Sequence, residues 1–107
     1  MTLPLRTVSE ANRRGHWSKH HKRHQEHRFL AAHMLQQKMP LPSLPATVRM
    51  IRHGPRKLDT DNLASSMKHI RDGIADAYEV DDADERYSWQ YDQEMCKEYK
   101  VVVEITA

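Results

Sequence analysis

Cysteine is nearly missing from this 107-residue chain: the single thiol, Cys96, excludes an internal disulfide framework and any cysteine-based zinc ribbon. Glycine is scarce at 3 residues, and with 5 prolines this excludes collagen-like and low-complexity chains. No apolar run approaches the ~20 residues that a membrane helix needs. The opening Met1-Thr-Leu-Pro-Leu-Arg6 lacks the apolar stretch of a secretory leader, so a cytoplasmic location is expected. Apolar residues make up only 38%. So thin a core predicts burial against a partner subunit.

Acids are what the first half lacks. Residues 1–57 hold 12 Lys/Arg against 2 acids, and residues 58–107 hold 5 against 13. A basic half suits a polyanion, because each neutralised phosphate releases condensed counterions. An acidic half suits divalent cations such as Mg²⁺, which prefer oxygen ligands. Together they point to nucleic-acid binding joined to metal-dependent chemistry. The plainer alternative is two solvated charged faces.

The pattern predicts one α+β domain over residues 1–107: a small mixed β-sheet with two helices, in the order β-α-β-α-β-β. Residues 3–7 read as an edge strand and 9–15 as a loop. Residues 18–38 lack Gly and Pro and read as a helix whose buried face carries Phe29, Leu30, Met34 and Leu35. The prolines of 39–45 stop it. Residues 46–53 read as a strand and 53–56 as a turn. Residues 61–78 read as one helix, with Leu63, Met67, Ile70, Ile74 and Ala77 on one face. After an acidic loop at 80–85, residues 86–92 and 99–105 alternate as strands and are expected to pair as a hairpin. Trp89, Tyr87 and Tyr91 share one side of the first, as sheet core or dimer interface.

The sharpest local feature is Leu58-Asp59-Thr60-Asp61-Asn62-Leu63. In an extended segment, residues i and i+2 point to the same side, so Asp59 and Asp61 are placed to converge on one cation. The structural alternative is a helix cap at Thr60 or Asp61. A second acidic cluster, Asp81-Asp82-Ala83-Asp84-Glu85, reaches the first pair only by returning across the sheet. Lys68 stands two helical turns after Asp61 and either faces these carboxylates or pairs with Asp72.

Asp59-x-Asp61-Asn62, then Lys68-x-x-x-Asp72, then Asp81-Asp82, then the closing Val101-Val-Val-Glu-Ile105, resembles the RusA family of Holliday junction resolvases. The segment around Asn12-Arg13 resembles that family's N-terminal Asn-Arg stretch. The resemblance covers nearly the whole chain and is strongest over residues 56–85. It implies a small, homodimeric, Mg²⁺-dependent endodeoxyribonuclease of the phage and prophage type, cutting four-way DNA junctions in recombination and repair, with Mn²⁺ as a possible substitute. It implies metal ligation by Asp59, Asp61 and one of Asp81 or Asp82, with Asp82 the better match, and charge stabilisation by Lys68. The chain departs from the family at Ser65, where a lysine is usual; Lys68 stands as though a turn had been inserted before it.

His16, His20, His24 and His27 fall on one helical stripe, which permits His-x-x-x-His metal binding. Interleaved basic residues oppose a transition metal there. The expected role is phosphate tracking by Arg13, Arg14, Lys19, Lys22, Arg23 and Arg28, joined by Arg56 and Lys57, with Trp17 either core or stacked on a base. Branched DNA is the expected partner, with no small-molecule substrate and no membrane.

Overall fold

A computed structural model describes residues 1–6 and 17–107, with the side chains of 17–21 and 23 left aside. The order is β1 (Thr2–Leu3), α1 (Trp17–Gln36), β2 (Ala46–Gly54), α2 (Thr60–Ser66), α3 (Lys68–Tyr78), β3 (Tyr87–Met95) and β4 (Lys100–Thr106). The strands form one mixed sheet in the order β1-β4-β2-β3. Leu3, Val48, Met50, Tyr87, Val101 and Val103 meet Ala31, Leu35, Leu63, Met67, Ile70 and Ile74 in a single core. No helix among the described residues is long and apolar enough to cross a membrane.

The expected hairpin does not form. β3 runs parallel to β2 and β4 antiparallel to it, so β2 lies between them. Val48, Met50, Ile51 and Arg52 are all buried, which suits a strand flanked on both sides. The link at 96–99 crosses the end of β2, where the Cys96 N–H donates to the Gly54 carbonyl at 2.8 Å. Stepping over one strand takes about 10 Å, within reach of four residues. A short link therefore does not by itself imply a hairpin.

The single helix expected over 61–78 is two helices, giving three among the described residues. The break falls at Met67, whose backbone sits at φ −99, ψ −3. Ser65 and Ser66 turn their hydroxyls onto the carbonyls three residues back, at 3.3 and 2.8 Å. Such back-bonding competes with the helical ladder. The apolar stripe survives the break, and Leu63, Met67, Ile70, Ile74 and Ala77 are all buried.

α1 also departs in detail. Its buried stripe is His27, Ala31 and Leu35, with Leu30 and Met34 partly buried, while Phe29 is 71% exposed. α1 and α3 pack closely because of Gly73: a Cβ there would press into the Arg28 carbonyl oxygen and lie 2.9 Å from the Ala31 Cβ. β1 is shorter than expected, since Pro4 has no N–H to donate to a ladder. Residue 7 and the 9–15 loop lie outside the described residues.

Candidate functional site

The connection from β2 to α2 carries the first acids. Gln93 on β3 fixes it: its side-chain amide both accepts from the Leu58 N–H, at 2.9 Å, and donates to the Leu58 carbonyl, at 2.7 Å. Asp59 follows as the N-cap of α2, its Oδ1 accepting the Asn62 N–H at 3.0 Å. The cap is thus Asp59, not Thr60 or Asp61. Because Thr60 and Asp61 are helical, the extended geometry that would aim Asp59 and Asp61 to one side does not hold. Asp61 instead faces a different set of neighbours.

That set lines a cleft of 430 Å³ formed by Asp61, Ala64, Ser65, Lys68, Arg71, Asp82 and Tyr91. Asp82 therefore returns to the cleft that Asp61 lines, although the two stand on opposite sides of the helix pair in sequence. Tyr87 and Trp89 bring the loop back. The Tyr87 hydroxyl donates to the Val80 carbonyl at 2.8 Å, and the Trp89 indole N–H to the Asp82 carbonyl at 3.0 Å. Burial pushes the Tyr87 phenol up to about 12, with Tyr78 adding to the shift. The phenol stays a donor at neutral pH.

Arg71 completes the anchorage. Its Nε lies 3.0 Å from Asp82 Oδ2, its Nη2 donates to the Asp82 carbonyl at 3.1 Å, and its Nη1 donates to the Tyr91 hydroxyl at 3.0 Å. Its guanidinium carbon sits 4.7 Å from the centre of the Trp89 ring. Lys68, exposed at the cleft, lies 3.6 Å from Asp72. Asp81 is turned elsewhere: its Oδ1 caps the Ala83 N–H at 2.8 Å, and it lines a separate acidic hollow with Asp72, Asp76 and Glu79.

Among the described residues, no three His, Cys, Asp or Glu side chains gather at metal-holding distance. Two carboxylates lining one cleft nevertheless suit Mg²⁺, which keeps several waters and takes its other ligands from substrate phosphates. They do not suit a structural zinc ion, which needs four closed protein ligands.

The basic residues divide. Lys22, Arg56 and Lys57 are exposed. Arg28 is engaged by Asp76 through two bonds of 2.6 and 2.8 Å. This pairing raises the Arg28 pKa and holds Asp76 below the usual carboxylate range. Arg52 is buried, and its Nη1 donates to the Arg56 carbonyl at 2.6 Å. His24 stacks on His69 with ring centres 3.7 Å apart, joining α1 to α3, and His27 is buried. Arg13, Arg14 and His16 lie outside the described residues, as do the side chains of Trp17, Lys19, His20 and Arg23.

Sequence reasoning passed over Arg71, Gln93 and the polar use of Tyr91. Arg71 carried a usable signal: it stands three residues after Lys68, on the same helical face. Gln93 carried none, since its role depends on the parallel register of β2 and β3. No family model matches the chain, and no curated protein sequence matches it.

Proposed function

We propose that this protein is a divalent-metal-dependent endodeoxyribonuclease that cuts four-way DNA junctions, the activity of the RusA family that its residues resemble. The observation that carries this reading is the meeting of Asp61 and Asp82 in one cleft with Lys68 on its rim. Mg²⁺, or Mn²⁺ in its place, would supply an activated water and charge stabilisation at the scissile phosphate. Asp61 and Asp82 would hold it, while Asp59, the third ligand that the resemblance implies, caps α2 and does not line the cleft. Lys68 would set an ammonium beside the phosphate oxygens, three residues after the Ser65 position where the family has its lysine; the break at Met67 falls between the two. Exposed Arg56, Lys57 and Lys22 would track flanking phosphates. Two symmetric cuts need two such clefts, hence a two-fold homodimer, working in the cytoplasm of a bacterial or phage-infected cell.

The test is a labelled synthetic four-way junction, incubated with the wild type and with Asp61→Asn, with and without Mg²⁺. Paired cuts that need both Mg²⁺ and Asp61 are expected; intact junctions under every condition would overturn the reading. The second reading is a catalytically silent DNA-binding module of the same fold. Ser65 in the cleft wall and the use of Asp59 Oδ1 as a cap favour it. Salt-sensitive junction binding without cutting would select it.

A further inference from the structure

We propose that Arg71 is a positioning residue for cation binding in the cleft, holding Asp82 in place without touching substrate. The inference rests on the metal-dependent reading above and concerns a residue that the resemblance does not assign. Both terminal nitrogens of the guanidinium make a hydrogen bond within the cleft wall, and Nε stands within ion-pair distance of Asp82. Nε faces Asp82 Oδ2, Nη2 bonds the Asp82 carbonyl, and Nη1 bonds the Tyr91 hydroxyl. One face of the guanidinium lies over Trp89. These contacts turn the guanidinium onto the Asp82 loop and Tyr91, with the side chain only 27% exposed, rather than out toward a phosphate.

The same contacts fix Asp82 at two points, backbone and carboxylate. Oδ2 is taken, while Oδ1 carries no hydrogen bond or ion pair among the described residues. Asp82 lies between the cleft and the acidic hollow and lines both. A free Asp82 side chain would divide its time between the two; the Arg71 bonds assign it to the cleft. Residues that bond a ligating carboxylate from behind are worth about 10–100-fold in metal affinity.

The experiment measures Mn²⁺ binding by the full-length protein, from the loss of the free-ion electron paramagnetic resonance signal, with no DNA present. Arg71→Gln is expected to weaken binding about 10–100-fold. Arg71→Lys keeps the charge but not the fork, and should recover only part of the loss. Tyr91→Phe removes the Nη1 acceptor alone, keeps the ring, and should weaken binding by a smaller factor. If Arg71→Gln does not fold, Arg71→Lys and Tyr91→Phe decide. Unchanged or tighter Mn²⁺ binding in the folded variants overturns the proposal, tighter binding meaning that Arg71 competes with the ion. A wild type that binds no Mn²⁺ overturns it as well. A wild type that binds Mn²⁺ but cuts no junction overturns the nuclease reading and leaves the role of Arg71 standing.

Discussion

Gln93 behaves toward Leu58 as a neighbouring strand would, offering one acceptor and one donor to a single residue 35 positions away. The segment that leads into Asp59 is thereby tied to β3, the strand that also carries Trp89 and Tyr91. Gln93→Ala leaves both Leu58 groups to water and should cost about 1–2 kcal/mol. Gln93→Glu keeps the acceptor and loses the donor, and should fall between. Urea unfolding measures both, and equal stabilities for wild type and Gln93→Ala would remove the role.

The acids of the cleft should separate binding from chemistry. Asp61→Asn and Asp82→Asn each remove a carboxylate charge while keeping side-chain shape. Junction binding should hold or tighten and cutting should fall by at least about 100-fold. Gel-shift and single-turnover assays on the same preparations read the two quantities.

Asp59 is a helix cap outside the cleft lining. Asp59→Asn keeps an oxygen for the Asn62 N–H, so stability should stay within about 0.5 kcal/mol, whereas Asp59→Ala should lose about 1 kcal/mol. Cutting by Asp59→Asn should stay near the wild-type rate. A large loss of cutting in that variant would return Asp59 to the ligand set.

Alkaline pH should loosen the Asp82 loop through Tyr87. Its pKa in the fold is raised to about 12 from 10.0, mainly by burial, so the folded state holds the proton more tightly than the unfolded chain does. The stabilisation is complete below pH 10 and is lost as pH climbs through 12, by about 2–3 kcal/mol in all. Urea midpoints for wild type should fall across this window, and Tyr87→Phe should show a smaller fall. Tyr78, also raised by burial, accounts for the remainder.

Glu79 ends α3 in the left-handed region at φ 57. A side chain there costs roughly 1–2 kcal/mol, offset in part by the greater freedom of glycine when unfolded. Glu79→Gly should therefore raise stability by about 0.5–1 kcal/mol, read as a higher denaturation midpoint. No gain would mean that the Glu79 side chain contributes as much as its backbone costs.

Much of the fold was readable from periodicity. The β2, α1 and β4 ranges follow the alternation and helical spacing of their own residues, and the Leu63-to-Ala77 stripe is buried as its spacing predicts. Pairing was not readable. Whether β3 joins β4 or β2 depends on which strand needs two neighbours, and the buried Ile51 and Arg52 of β2 show this only once folded. The same limit applied to the cleft. Asp61 and Lys68 could be placed on one helical face from spacing alone, and Asp82 could be singled out from Asp81 only by resemblance. The bonds from Tyr87, Trp89 and Arg71 that hold the Asp82 loop at the cleft join distant elements of the fold and leave no mark in local sequence. The break at Met67 had a local cause, the paired serines, which helix periodicity overlooks.

Among the described residues, every strand pair in the sheet has β3 or β4 as a member: β1 with β4, β2 with β3, and β2 with β4. During synthesis the chain can therefore wind α1, α2 and α3 before any ladder exists. Until Tyr87 leaves the ribosome, β2 has no partner, and Val48 and Met50 wait without a sheet to lie in. Non-local pairing of this kind folds slowly and leaves apolar strand exposed to neighbouring chains. A chain cut short at Arg86 would keep all three helices and both basic and acidic segments, yet emerge as an aggregating fragment. The last 21 residues close the molecule.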